Sequence, residues 1–271
     1  MSGIALARGV YFAFAMLLFG SAAFGALLHK RLPIISAVRL PRWWLLPPAL
    51  LAACAWFALA AAQMAGAMEW SALTQAATAT LFGQVFVLRI VLLLGLAFVP
   101  GRNAVMAALL AAGALALPAA TSHAAAASPA GFAAIGTTLD AVHLLTAGFW
   151  IGGLAVLAAL LRRKEPNILL ALSLFSDWAL VAVLLLVMTG LINAASILLG
   201  DKGAPTPLYL SVLGAKLALV LVMLGLAAVN RFRLMPRGQD RAIARNAAFE
   251  LGLGIIVVLL AGALGQLPPT L

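Results

Sequence analysis

Charged residues and cysteine are scarce in this sequence. Asp, Glu, Lys and Arg make up 9% of its 271 residues, compared with about 25% in soluble domains. The single cysteine, Cys54, excludes a disulfide framework and a Cys-X-X-Cys site. The sequence contains no GxGxxG or Walker pattern, so ATP hydrolysis is not expected to drive its function. It also has no long polar segment, so function is expected in the apolar spans or their short connections.

Apolar residues, in contrast, are abundant. They make up 65% of the chain and occur in runs of about twenty, long enough to cross a hydrocarbon core of about 30 Å. This pattern predicts an all-α fold, a polytopic membrane bundle of eight transmembrane helices that forms one domain over residues 1–271. The predicted spans cover about residues 4–28, 43–65, 78–99, 103–120, 132–161, 168–199, 207–230 and 247–265.

The positive side chains predict how the bundle sits in the lipid bilayer. Thirteen Lys and Arg residues fall in the odd-numbered loops, whereas Arg8 and Lys202 lie toward the other side. Because short cytoplasmic loops carry the excess of positive charge, we expect both termini to face outward. The thirteen are Lys30, Arg31, Arg39, Arg42, Arg102, Arg162, Arg163, Lys164, Arg231, Arg233, Arg237, Arg241 and Arg245. The net charge of +10 is therefore a topology signal, and no nucleic-acid partner is expected.

Two of the three histidines and one carboxylate gather in a short stretch of the chain. Asp140 and His143 lie roughly 12 and 16 Å into the fifth span, on one face of the helix. A carboxylate beside an imidazole can accept its N–H and leave the other nitrogen free for a metal. His123 lies in the preceding outer connection and could reach the same place. These residues predict a metal or redox site; the structural alternative is that Asp140 and His143 only bond each other and tie the fifth span to its neighbours.

Sulfur ligands and buried cations are further candidates. Met64 and Met68 are four residues apart at the outer end of the second span, so their two sulfurs are expected to share one helix face. Thioether sulfur suits Cu(I), although methionine is also a common core residue. Arg89 and Lys216 are cations inside spans, each expected to pair with a carboxylate or a backbone carbonyl. Lys216 lies at a depth similar to that of Asp140, so these two residues could form a pair.

Two more residues are predicted to have structural roles. Trp150 lies about two turns below His143 and could seal the site on the cytoplasmic side. It precedes Gly152 and Gly153, which favour close approach of helices. Glu250 lies near five arginines at the inner end of the last span and is expected to form a structural ion pair.

An ordered set of motifs resembles a known family over nearly the whole chain. The motifs are Thr80-Leu81-Phe82-Gly83 with Arg89, Ser122-His123-Ala124, Asp140-Ala141-Val142-His143 with Trp150-Ile151-Gly152-Gly153, Phe175-Ser176 with Thr189-Gly190, Tyr209 with Gly214-Ala215-Lys216, Asn230-Arg231 with Pro236, Glu250-Leu251 and Leu267-Pro268-Pro269. In this order they resemble the copper resistance protein D family of bacterial inner-membrane copper-handling proteins.

The resemblance implies a multi-pass protein of the bacterial inner membrane with both termini in the periplasm. It implies that copper, as Cu(I) or Cu(II), is bound from the periplasmic side and moved toward the cytoplasm. His123 and His143 would be copper ligands, with Asp140 as a ligand or as the partner of one. Met64 and Met68 are further candidate ligands, and a periplasmic copper chaperone could deliver the ion.

Two other functions remain open from the sequence. The first is a membrane redox protein, in which histidines hold haem b or a copper centre that exchanges electrons with a quinone. This alternative would make the protein an oxidoreductase, whereas the copper-transport interpretation makes it a metal-binding transporter and not an enzyme. The second is an assembly factor that presents copper to another membrane complex without moving it across the bilayer.

Overall fold

The computed structural model describes residues 2–32, 40–101, 103–122, 133–163, 167–200 and 204–268, with the backbone alone for 133 and 197–200. These residues contain nine α-helices and no strand. The helices are α1 (Gly3–Arg31), α2 (Arg42–Ala65), α3 (Trp70–Ala79), α4 (Leu81–Phe98), α5 (Ala104–Ala116), α6 (Ala133–Arg162), α7 (Ile168–Gly200), α8 (Pro207–Val229) and α9 (Asp240–Leu264). A 3₁₀ turn, Leu117–Thr121, extends α5, and a π-helical turn, Asn230–Leu234, extends α8.

Eight of these helices are long and apolar enough to cross a membrane, and they confirm the predicted polytopic helical bundle. The ninth, α3, has ten residues and is too short to span. It was not predicted, and the third span begins at Leu81 and not near residue 78. Thr80 separates the two helices because its extended backbone ends α3, while its hydroxyl accepts a hydrogen bond from Gly83 N at 2.9 Å.

The two ends of the bundle differ in composition. At one end, which we call the terminal face, α1 begins and α9 ends, and the Thr206 hydroxyl bonds the Pro268 carbonyl at 2.9 Å. The opposite end, the arginine-rich face, holds the start of α2 and the end of α4. There Arg42 Nη2 donates to the Val99 carbonyl at 2.7 Å. α9 begins on this face at Asp240, seven residues before the predicted start. The prediction missed these residues because the first two turns of the helix are polar and it was based on apolar runs.

Helix α1 lies at the centre of the bundle, where it packs against α2, α5, α6 and α9. Its closest contact is with α6. A Cβ atom added at Gly20 would overlap the carbonyl oxygen of Gly148 and lie 2.8 Å from the Gly152 Cα. Glycine at these positions lets the two backbones touch, as in other membrane helix pairs. This contact fixes α6, which carries Asp140 and His143, against the central helix.

Helix α8 is peripheral. It packs mainly against α9, and many of its large apolar side chains, such as Leu217, Leu221 and Val222, are exposed on the protein surface. In a membrane protein such a surface faces lipid, which is as apolar as the side chains themselves. Few side chains of α8 point into the bundle, and the charged one among them is Lys216.

The α1–α6 contact predicts a specific sensitivity to one methyl group. Gly20→Ala forces the two backbones apart and is expected to lower the free energy of unfolding by about 1–3 kcal/mol. The thermal unfolding midpoint in detergent micelles measures this change. Gly25→Ala in the same helix is the matched control, because nothing lies within 4 Å of a Cβ added there. Equal midpoints for the two variants would contradict the close contact.

Candidate metal site

His143 and Asp140 on α6 face α7, and each bonds one side chain of that helix. His143 Nδ1 lies 3.1 Å from the Thr189 hydroxyl oxygen, and Asn193 Nδ2 donates to Asp140 Oδ1 at 3.3 Å. Thr189 and Asn193 are four residues apart and so share one face of α7. Both members of the pair therefore bond to the neighbouring helix, and these bonds tie α6 to α7 as the structural alternative expected.

The Thr189 hydroxyl favours one tautomer of His143. A hydroxyl has one proton to donate, and the shortest contact of Thr189 Oγ1 is with the Leu185 carbonyl at 2.6 Å. With its proton given to that carbonyl, Thr189 Oγ1 accepts from His143 Nδ1–H. In the neutral imidazole this leaves Nε2 with its lone pair unprotonated, which is the form that binds metals.

Glycine beside Thr189 makes room for the imidazole ring. A Cβ atom added at Gly190 would lie 3.1 Å from His143 Cε1, tighter than ordinary contact. The pair Thr189-Gly190 thus both orients His143 and accommodates it, a role that the sequence did not assign to these residues.

Asp140 is surrounded by groups from four other parts of the chain. Besides Asn193, its carboxylate bonds the Ser122 side chain, and it interacts electrostatically with Arg8 of α1 and Lys216 of α8. The expected Asp140–Lys216 pair is therefore present as an electrostatic interaction, without a direct ion pair in the described part of the chain.

The described residues do not by themselves form a complete metal-binding cluster. Within the ranges that the structure describes, no three His, Cys, Asp or Glu side chains are grouped so as to hold a metal ion. Asp140 and His143 supply two potential donors, and the third predicted ligand, His123, lies outside the described residues. Ser122, which directly precedes it in the chain, is the residue that bonds Asp140.

Arg89 lies against aromatic rings and not beside a carboxylate. It is 1% exposed, and its guanidinium carbon is 4.5 Å from the Tyr11 ring centre and 4.6 Å from that of Trp56. Its Nε and Nη2 atoms have no hydrogen-bond acceptor among the residues described. The expected carboxylate or carbonyl partner is replaced there by a hydrogen bond with the Tyr11 side chain and by cation–π contacts, which are stronger away from water.

Arg8 is the main charged residue whose location the sequence did not predict. It was counted only as a charge on the outer side, but it lies in a cleft of about 190 Å³ at the terminal face. We call this the Arg8 cleft; Trp56, Met64, Ser122, Gly265 and Gln266 line it with Arg8. The sequence did contain a signal for this location, because Arg8 is a cation five residues inside an apolar helix and close to Tyr11 and Phe12.

The structure separates the two methionines. Met64 lies on α2 and lines the Arg8 cleft, but the helix ends at Ala65 and Gly66 takes a left-handed conformation with φ of 74°. Met68 therefore follows the helix and does not share a face with Met64. The prediction of two sulfurs on one helix face is wrong, because the i, i+4 spacing applies only within a continuous helix.

Trp150 and Glu250 both lie in the interior. Trp150 is 3% exposed and packs with Phe24 and Leu154 in the core toward the arginine-rich face. Glu250 is 1% exposed, and Asn230 Nδ2 donates to its Oε1 at 2.6 Å. Glu250 therefore accepts a hydrogen bond from a side-chain amide, whereas the sequence predicted an ion pair with arginine. Within the described chain, the ion pair at this face joins Arg231 to Asp177 at 3.0 Å.

These features define a polytopic helical membrane protein whose interior holds a histidine and a carboxylate flanked by cations. The chain belongs to the copper resistance protein D family. It is 32% identical to the copper resistance protein D of Pseudomonas syringae pv. tomato over 293 residues, covering 94% of this chain and 93% of that protein. Residues 1–132 match the model of the copper resistance protein D-like N-terminal domain, and residues 169–264 match that of copper resistance protein D.

A second relative matches over a shorter length. The chain is 32% identical to the copper transport protein CutJ of Bacillus subtilis over 139 residues, which are 49% of this chain but 26% of CutJ. No solved structure matches the chain.

The Glu250 interaction predicts opposite results for two substitutions. Glu250→Gln keeps an oxygen acceptor for Asn230 and is expected to leave the thermal unfolding midpoint almost unchanged. Glu250→Leu leaves the half-buried Asn230 amide without that acceptor and is expected to lower the free energy of unfolding by about 1–3 kcal/mol. Asp177→Asn, which removes a surface ion pair, is the control and should cost about 1 kcal/mol or less. If Glu250→Gln lowers the free energy of unfolding as much as Glu250→Leu, the negative charge of Glu250 matters, which would indicate an arginine partner.

Proposed function

We propose that this chain binds copper from the periplasmic side of the bacterial inner membrane and moves it toward the cytoplasm. The observation that carries the proposal is the 3.1 Å contact between His143 Nδ1 and the Thr189 hydroxyl, which favours the tautomer with an unprotonated Nε2. Asp140 lies one turn away on the same helix and supplies a negative charge for a cation. Imidazole and carboxylate are both ligands that copper accepts.

Membership in the family favours copper over other metals. The two relatives named above are described as copper resistance and copper transport proteins. In this proposal His143 is a copper ligand, and Thr189 fixes its orientation, as the hydrogen-bonding partners of metal-ligating histidines generally do. Asp140 acts as a ligand or offsets the charge of the ion.

We assign the first capture of copper to His123. It follows Ser122, which bonds Asp140, so the sequence order puts a histidine next to a residue of the site. Met64 lines the Arg8 cleft together with Ser122 and is a second candidate for capture. A periplasmic copper chaperone is the partner that we propose for delivery.

Below His143 the candidate ligands are fewer. Trp150 and its apolar neighbours fill the core there, and Met223 on α8 is 2% exposed and packs near Ile151 and Gly254. We propose Met223 as the next sulfur that copper meets. His29, the other described histidine, lies at the arginine-rich end of α1 and is not a second axial haem ligand beside His143.

The proposal predicts which histidine controls copper binding. His143→Ala is expected to remove the internal copper site, whereas His29→Ala is the matched control and should bind like the unchanged protein. Thr189→Val keeps the side-chain shape but loses the acceptor for Nδ1–H, so copper affinity is expected to fall about 10–100-fold. Competition with a Cu(I) chelator measures these affinities in purified protein. Unchanged affinity in His143→Ala would contradict the site.

Copper flux distinguishes transport from presentation of copper. Reconstituted vesicles are expected to accumulate copper with the unchanged protein and not with His143→Ala. Copper binding without flux would instead support the assembly-factor function, and a Soret band in the optical spectrum of the purified protein would support haem.

The proposed orientation has its own test. Gln266→Cys at the terminal face and Arg237→Cys at the arginine-rich face are made in a Cys54→Ala background. In intact spheroplasts, a membrane-impermeant maleimide is expected to label residue 266 and to label residue 237 only after the membrane is broken. The reverse pattern would place the termini in the cytoplasm and reverse the direction of copper movement.

A further inference from the structure

Arg8 and Arg89 concentrate positive charge beside the Arg8 cleft. Their guanidinium carbons lie 5.5 and 4.6 Å from the Trp56 ring centre, and the two side chains interact electrostatically. Like charges repel strongly where little water screens them. Asp140 acts on Arg8 through its charge, but its carboxylate already bonds Asn193 and Ser122. The region therefore carries more positive than negative charge.

The same two arginines have unused hydrogen-bond donors. Arg8 Nε, Arg89 Nε and Arg89 Nη2 are buried and have no acceptor within the described chain. Leaving buried donors of a charged group unpaired is costly, and an anion is the acceptor that satisfies them best. Of the two arginines, Arg8 lines the cleft, and an unpaired cationic donor at a cleft is a feature of anion-binding sites.

The shape of the cleft fits a small ligand. Its volume of about 190 Å³ is several times the ~30 Å³ that one water molecule occupies. The Arg8 guanidinium lies against the backbone of Gly265, where an added Cβ atom would overlap it. Glycine at this position leaves space for Arg8 at the wall of the cleft, and the exposed amide of Gln266 lies at its mouth.

We propose that the Arg8 cleft is an anion-binding site that takes a carboxylate or phosphate group. Arg8 donates charge-assisted hydrogen bonds to the anion, and Arg89 on the other side of this region adds positive charge. The anionic group comes from a soluble ion or from the headgroup of an anionic phospholipid, since both present the same oxygen acceptors.

An anion in the cleft would also influence the proposed copper site. It offsets the positive charge that acts on Asp140, so a cation bound at His143 is held more tightly when the cleft is occupied. This consequence depends on the proposed function, whereas the anion site does not, and the two can fail separately.

The test measures anion binding without copper. Full-length protein is purified in an uncharged detergent and a zwitterionic buffer, and its thermal unfolding midpoint is followed with inorganic phosphate and with acetate. A parallel series in nanodiscs compares phosphatidylcholine alone with mixtures containing phosphatidylglycerol. A ligand that binds the folded state raises the midpoint with concentration.

The unchanged protein is expected to respond to the soluble anions, to phosphatidylglycerol, or to both, and the pattern identifies the source of the anionic group. Arg8→Gln is expected to need about tenfold or more anion for the same midpoint shift. Gly265→Ala keeps the charge of Arg8 but crowds its guanidinium, so it should also weaken the midpoint shift that anions cause. This variant tests the site if Arg8→Gln does not fold. Arg233→Gln, an exposed arginine on the opposite face, is the matched control. The proposal is overturned if anions do not raise the unfolding midpoint of the unchanged protein. It is also overturned if Arg8→Gln or Gly265→Ala folds and shows the same midpoint shift as the unchanged protein.

Discussion

The interior of this bundle offers polar groups no water, so each must be satisfied by the protein itself. Asp140 and His143 meet this constraint through Asn193 and Thr189 on α7, and Glu250 meets it through Asn230. Arg89 meets it in part through the faces of Tyr11 and Trp56. The bonds that hold the helices together at these depths are therefore the same bonds that orient the ionisable side chains.

The constraint also favours the tautomer of His143 in which Nε2 is unprotonated. The α1–α6 glycine contact fixes the position of α6, and the committed proton of Thr189 makes its oxygen an acceptor for Nδ1–H. The imidazole is thereby oriented before any ligand arrives, so metal binding need not order it. Among the described residues, an amide, a hydroxyl and two cations surround Asp140, and no three potential metal ligands are grouped together.

The sequence predicted the helices well, because span length and hydropathy depend on local composition. It located Asp140 and His143, since ionisable residues are rare in such spans. It did not predict their partners Thr189 and Asn193, because a hydrogen bond between helices depends on rotation and register that composition does not encode. Met68 was misplaced because the left-handed Gly66 ends α2, and Arg8 was read as a topology charge although it lies in a cleft.

The central claim is that Thr189 holds His143 with its proton on Nδ1, so that Nε2 can bind copper. Nitrogen NMR of ¹⁵N-histidine-labelled protein tests it most directly, because the chain has three histidines and His143→Ala identifies the signal. The account predicts a protonated Nδ1 and an unprotonated Nε2 in the metal-free protein, with the Nε2 signal shifting when Cu(I) is added. A proton on Nε2, or an Nε2 signal that copper leaves unchanged, would contradict it.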